Sequence, residues 1–514
     1  MNPLSAEALL SGGFASLPDL IRTHAAERPD HPALIEGDAT LSYAALAALM
    51  ERICAALQRD GITSGEAVAI CSRTSINYGA AFCGILAAGA AVAPLAPSLT
   101  PESLLMMLGD CAAKVFLLDR ESAEVLKAAG HEATLKRVAL DDSEAGEPFS
   151  MWIGPEGAKS AQVAIVPDQP FNIIYSSGTT GAPKGIVQPH SMRWGQIKRL
   201  PFRDAVMMIT TPLYSNTTLV AFLPTLAYGS TAVLMPKFDP GQFLHLSELH
   251  RATHAMLVPI QYRRIMERPD FETYDLSRYV TKLSTSAPFA AALKADILKR
   301  WPGGLVEFYG MTEGGAATML AAHQFPTKLH TVGRPMPGNE IRLIDEAGRE
   351  VDNGEAGEVV GRSDMMMTEY HNLPEKTREA EWRDAEGQRF IRTGDIARFD
   401  EDGFLILLDR SKDIIISGGF NIYPSDVETE LMRHESVFEA AVVGVASERW
   451  GETPVAFVVL REGSAIDAPS LKDWVNARLG KTQRLSDLAI VDALPRSPIG
   501  KLLKRELRDL YANR

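Results

Sequence analysis

A chain of 514 residues is too long for one hydrophobic core, so two or more domains are expected. Its 46% hydrophobic and 23% charged residues are those of a soluble globular protein, and a net charge of −13 argues against nucleic acid as a general partner while leaving room for a local basic site. The four cysteines, Cys54, Cys71, Cys83 and Cys111, lie in apolar segments without metal-ligand spacing and read as small core residues of a reducing compartment.

The N-terminal stretch lacks a basic start and a long apolar run, so no signal peptide is read. Residues 17–60 alternate helical pattern with a short strand pair, Ala33-Leu-Ile-Glu36 and Leu41-Ser-Tyr43, and Ser42 is placed to cap a helix. From Ala67 onward, short apolar strands (67–71, 91–94, 115–119) alternate with helices, which predicts a mainly parallel sheet covered on both faces. The uncharged run 78–97 is rich in Ala and Gly and broken by Pro94 and Pro97, so a buried helix and strand are expected there instead of a membrane span. Residues 142–170 read as a polar connector. A second set of strands and helices spans 205–310, with strands at Val206, Thr231 and Lys282. Beyond about 330, closely spaced strands predict a small antiparallel or barrel-like unit. A last mixed domain of about a hundred residues is expected after Asp409. The C-terminus carries no targeting or lipidation signal, and a cytoplasmic location is expected.

Five stretches carry chemistry. The first is Tyr175-Ser-Ser-Gly-Thr-Thr-Gly-Ala-Pro-Lys-Gly185, which packs glycines, hydroxyls and a lysine between two strand-type runs. Glycines let backbone amides approach an anion, and Ser176, Ser177, Thr179, Thr180 and Lys184 can donate to phosphate oxygens around Gly178 and Gly181. It does not match the Walker A pattern. A polar surface loop needs fewer hydroxyls than this. The second is Glu307-Phe-Tyr-Gly-Met-Thr-Glu313, preceded by Ser284-Thr-Ser-Ala-Pro288; taken alone, each is also compatible with an ordinary turn. The third is Thr393-Gly-Asp395 with Arg410 fifteen residues later, which alone reads as well as an Asx turn and a surface ion pair. The fourth is Asp409-Arg-Ser-Lys-Asp-Ile-Ile-Ile-Ser-Gly-Gly-Phe-Asn-Ile-Tyr-Pro424, at a boundary in sequence texture. A hairpin with a glycine turn explains its Gly-Gly but not the whole pattern. The fifth is Pro495-Arg-Ser-Pro-Ile-Gly-Lys501, a stiffened loop presenting one lysine ahead of a helix.

In this order the five stretches closely resemble the motifs of the adenylate-forming superfamily, in its acyl- and aryl-CoA synthetase branch, which is similar to 4-coumarate–CoA ligases and fatty acid–CoA ligases. The resemblance covers residues 175–501 and implies an α/β fold. In it, a large N-terminal domain (1–409) holds two βαβ-type sheet subdomains and a small distorted β-barrel. A smaller mobile α+β domain (410–514) turns about Lys412. It implies ATP, Mg²⁺ and coenzyme A as reactants. The carboxylate attacks the α-phosphate, pyrophosphate leaves, and a thiol then displaces AMP. By this resemblance Lys184, Thr312, Glu313 and Lys501 are catalytic. The nucleotide is held by residues 176–181 and by Ser286, Ala287, Tyr309, Asp395 and Arg410. Glu313 holds the metal, and Tyr309 stacks on adenine. Gly418, Gly419 and Trp450 receive coenzyme A.

The acyl pocket is assigned to Tyr214, Ser215, Phe308 and Gly310. Here the chain departs from the family: Ser215 stands where histidine is common, and Phe308 where glycine is common. A ring at 308 should shorten the pocket or stack on an aromatic acid. An aromatic, arylpropenoic or short-to-medium-chain acid is therefore expected, with a long-chain fatty acid ligase or a standalone enzyme loading a carrier protein as alternatives. Residues 212–217 contain no aspartate to pair an α-ammonium, which counts against amino acids. A luciferase-like oxygenase is left open by the motifs, and a catalytically dead homologue is disfavoured by Lys184, Glu313, Asp395, Arg410 and Lys501. The expected partners are a small carboxylic acid, ATP and coenzyme A, with no nucleic acid and no stable membrane insertion; a homodimer stays open.

Overall fold

The computed structural model describes residues 4–128, 135–176, 183–417, 420–497 and 500–513. Two large sheets dominate, one of eight strands and one of nine. The eight-stranded sheet holds Ala67–Cys71, Ala91–Leu95 and Val115–Leu118 in parallel register at its middle. Both faces of these strands are buried, so they are continuous apolar runs without alternation. Next to them comes the antiparallel pair Pro170–Ser176 and Lys184–Pro189, which flanks the phosphate-loop motif. The edge is the two-residue strand Glu369–Tyr370.

The nine-stranded sheet is built mainly from the strands of 205–310 and continues through Gly304–Gly310 and Ala317–Ala321 to the edge strand Arg334–Pro335. The early pair Pro32–Glu36 and Ala39–Ser42 joins this second sheet, through parallel pairing of Leu34 with Ala232. Ser42 caps the following helix by accepting from the Ala45 amide, as its side chain predicted. The uncharged run is the buried helix Ile76–Ala87 followed by the buried strand Ala91–Leu95. No helix among the described residues is long and apolar enough to cross a membrane. The segment read as a connector contains a short helix, Phe149–Trp152, whose two aromatics are buried. The Trp152 indole donates to Asp60 at 2.7 Å, so this piece is anchored into the core.

A five-stranded antiparallel sheet of residues 340–410 follows, and a separate five-stranded sheet with three helices occupies 415–512. The fold class is thus mixed α/β with a large N-terminal and a small C-terminal domain. The main apolar cluster runs between helices and both large sheets and includes Leu34, Ile70, Phe82, Leu117, Phe222 and Leu283. All four cysteines are buried free thiols; burial pushes Cys71 and Cys83 up to about 12 and Cys111 to about 11, which leaves them unreactive.

Candidate active site

The strand Gly304–Gly310 organises the site by its two-residue period. Val306 and Phe308 point into the main core between the sheets. Tyr309 points the other way and packs on the small antiparallel sheet beside Ala316, Val359 and Ala397. One strand therefore separates the assigned acyl side from the assigned nucleotide side.

On the nucleotide side, the Tyr309 hydroxyl donates to Asp395 at 2.8 Å, and Arg410 Nε donates to the other oxygen of Asp395 at 3.0 Å. Asp395 and Arg410 sit opposite each other in the antiparallel pair Arg389–Phe399 and Leu405–Arg410. Their spacing of fifteen residues is the arc of that hairpin. Burial, then the Asp395 charge, pushes the Tyr309 phenol well above its ordinary value, so it stays a neutral donor.

Immediately after the strand comes Thr312-Glu313. Gly314 and Gly315 follow, both with positive φ. A Cβ on Gly314 would lie 2.0 Å from the Met365 carbonyl oxygen, and one on Gly315 would lie 2.5 Å from that of Gly361. Only glycine lets the turn press against the 357–367 segment in this way. The Met367 amide then donates to the Glu313 carbonyl at 2.7 Å.

Glu313 has a partner that sequence reasoning missed. The Tyr370 hydroxyl donates to Glu313 Oε1 at 2.8 Å, and Lys184 Nζ lies 4.9 Å from the centre of the Tyr370 ring. Tyr370 pairs with Ile186, two residues beyond Lys184, which fixes this arrangement. Burial, with Glu313 beside it, raises the phenol and keeps the proton on it. Among the described residues no group of three or more metal-ligating side chains is found.

Ser286 has φ of +81°, a strained value for a side-chain-bearing residue. Its hydroxyl meets that of Thr217 at 2.5 Å, and Ala287 follows it, half-buried. Ser215 caps the helix Asn216–Ala227, accepting from the Thr217 amide at 3.2 Å, and is buried. Tyr214 is half-buried, with its phenol pushed up to about 12 by burial. Gly310 is exposed at the strand end.

The C-terminal domain reaches the same place. Gly500 has φ of +76°, and a Cβ there would lie 3.1 Å from Ile260 and 3.2 Å from Val258 of the N-terminal domain. Lys501 next to it is pulled below the ordinary lysine value, by desolvation first and then by the charges of Arg410 and Lys412. Asp395 and Glu313 act on it in the opposite direction, so the lysine stands within electrostatic reach of both carboxylates. Lys412 is likewise lowered, mainly by burial. The neighbouring Asp413 accepts from Arg508 of the last helix at 2.9 Å.

The structure thus brings together Lys184, Tyr309, Thr312, Glu313, Asp395, Arg410 and Lys501 around one surface. Ser176 ends its strand opposite Lys184. Ser177, Gly178, Thr179, Thr180 and Gly181 lie outside the described residues, as do Gly418 and Gly419. Trp450 is exposed, with the Arg449 guanidinium 4.6 Å from its ring, and it neighbours Gly451, which pairs with Ser417.

A family model described as AMP-binding enzyme matches residues 21–371, and one described as AMP-binding enzyme C-terminal domain matches residues 426–501. The chain is 34% identical over 489 residues to a feruloyl-CoA synthase of Amycolatopsis sp, covering 93% of this chain and 96% of that one. It is 29% identical over 512 residues to a long-chain-fatty-acid–CoA ligase of Mycobacterium tuberculosis, covering 96% and 98%. Among solved structures, ATP-bound MatB from Rhodopseudomonas palustris superposes with a TM-score of 0.85 at 28% identity, covering 97% and 99%.

Proposed function

The chain belongs to the AMP-binding enzymes, and on that premise we propose that it joins an aromatic, arylpropenoic or short-to-medium-chain carboxylic acid to coenzyme A. It is an AMP-forming acid–thiol ligase. In the first half-reaction a carboxylate oxygen bonds to the α-phosphorus of ATP and the bond to pyrophosphate breaks. In the second the thiol, losing its proton, bonds to the acyl carbon and AMP leaves.

The Asp395–Arg410 pair, with the Tyr309 hydroxyl on Asp395 and the Lys501 loop seated through Gly500 beside Val258 and Ile260, is the observation that supports the assignment of roles. Asp395 accepts from both ribose hydroxyls, with Arg410 orienting it, and Tyr309 covers the adenine. Thr312 and Lys501 donate to the α-phosphate as charge builds there, and Lys184 donates with the hydroxyls of residues 176–180 to the departing phosphates. Glu313 would hold a Mg²⁺ ion that arrives with the nucleotide, and such an ion supplies neutralising charge at phosphate oxygens. For the second half-reaction the domain 410–514 turns about Lys412, withdrawing Lys501 and presenting Gly418, Gly419 and Trp450 to coenzyme A.

Phe308 carries the substrate reading: its ring packs on the core side of the strand, and a ring there would shorten an acyl pocket or stack on an aromatic acid. The relative named as a feruloyl-CoA synthase supports an aromatic acid. The relative named as a long-chain-fatty-acid ligase keeps a fatty acid as the second reading. A panel of carboxylates with ATP and coenzyme A separates them. Cinnamic-type or C4–C10 acids should give the highest kcat/KM, and Phe308→Gly should move the preference towards longer acids. A maximum at C16 in the wild type, or no shift in the variant, contradicts the pocket assignment.

A further inference from the structure

We propose that Arg193 is a positioning residue for adenylation: it fixes the Gln188 side chain that ties the phosphate-loop hairpin to the turn carrying Thr312 and Glu313. Arg193 lies on the helix His190–Arg199 that leaves the hairpin and is only 1% exposed. Its Nε donates to Asn172 Oδ1 at 2.9 Å, its Nη1 to Gln196 Oε1 at 2.8 Å, and its Nη2 to Gln188 Oε1. Among the described residues no carboxylate pairs with it; the oxygens that meet it belong to side-chain amides. The guanidinium also sits 5.8 Å from the centre of the Phe171 ring.

Asn172 and Gln188 face each other across the two strands of the hairpin, and both are fully buried. Asn172 Nδ2 donates to the same Gln188 oxygen at 2.8 Å. With two donors on its oxygen, the Gln188 amide has one orientation: its NH2 must face away from them. That NH2 donates to the Thr312 carbonyl oxygen at 2.6 Å. Without the cation the Asn172 amide loses the donor on its own oxygen, and the Asn172 and Gln188 amides can turn over together, which sets the Gln188 oxygen against that of Thr312. A buried cation is an expensive way to fill a core that a leucine would fill as well. What it gains here is a rigid bridge from the strands bearing Lys184 to the residues bearing Thr312 and Glu313.

The test uses the full chain and α,β-methylene-ATP, whose binding requires no acid, so the outcome is independent of which acid the enzyme takes. The variants are Gln188→Leu, Arg193→Met and the combined Asn172→Ala/Gln188→Leu/Arg193→Met, which replaces the polar cluster with apolar volume. Each should weaken binding of the analogue by about tenfold, the loss of one hydrogen bond, and the combined variant should be no worse than the single ones because all break the same link. A purely structural role would lower the melting temperature and leave the Kd of the folded fraction unchanged. Wild-type affinity in folded Arg193→Met, in Gln188→Leu or in the combined variant overturns the proposal, as do single-variant losses that multiply. If Arg193→Met does not fold, Gln188→Leu and the combined variant decide.

Discussion

Tyr370 binds the two charges of the site together through different parts of one side chain: its hydroxyl holds Glu313 and its ring faces Lys184. Tyr370→Phe keeps the ring and removes only the donor. A hydrogen bond to a charged group contributes about 1.5–3 kcal/mol, so adenylation should slow by roughly 10–100-fold, with a higher Mg²⁺ requirement and a normal melting temperature. Unchanged Mg²⁺ dependence would mean that Glu313 is oriented by something else. Nothing in Glu369-Tyr-His371 announces this role, because a tyrosine in a polar stretch has no charge or spacing to single it out. The signal is the register of a two-residue strand with Ile186 and Val187, a contact between residues far apart in sequence. Arg193 was hidden for a related reason: an arginine on a helix reads as a solvated charge until the acceptors around it are seen.

The strands were the legible elements. Apolar runs marked the central strands of the eight-stranded sheet, the pair flanking the phosphate loop and the strands at 33–36, 41–43, 206, 231 and 282, while only the family resemblance set Phe308 apart from Tyr309; the period of Gly304–Gly310 supplies the physical reason. Sheet membership was not legible. The pair 32–42 crosses to the second sheet through Leu34 and Ala232, and a short apolar strand carries no mark of its partner. Asp395 and Arg410 were legible as residue types at a spacing, while their direct opposition depends on hairpin register with an irregularity between Ile396 and Ala397. The segment 142–170 misled because its average polarity conceals Phe149 and Trp152, one helical turn apart and both buried.

At the scale of the whole molecule, the two domains meet around helix Pro259–Met266. Arg263 donates to the Phe438 carbonyl and covers its ring, while Glu439 lies 3.9 Å from Arg263 and 3.2 Å from Arg496. Glu439 is buried between these two half-buried arginines, so the contact is a compact charged cluster and not an exposed surface pair. The large domain is held by burial, and that makes its stability sensitive to acid. His190 is 3% exposed, and burial pushes it down to about 4. The unfolded chain protonates this ring below about 6.5, so its contribution is complete above that pH and is lost as pH falls towards 4, by roughly 3 kcal/mol in all. His254 is pushed down to about 4 by the same cause and adds to the loss. Urea midpoints should fall between pH 7 and 4.5, and His190→Phe should flatten that fall; an unchanged slope would contradict it.

Lys501 is the residue on which the two halves of the proposed reaction should come apart: its loop sits with Gly500 against Val258 and Ile260, and the proposed turn of the C-terminal domain would carry it away. The most direct measurement is single-turnover kinetics of Lys501→Ala in each half-reaction. Formation of acyl-adenylate from acid and ATP is expected to drop by about a thousandfold, while conversion of supplied acyl-adenylate and coenzyme A to thioester stays within a few-fold of wild type. Equal loss in both half-reactions would contradict a site that is rebuilt between them.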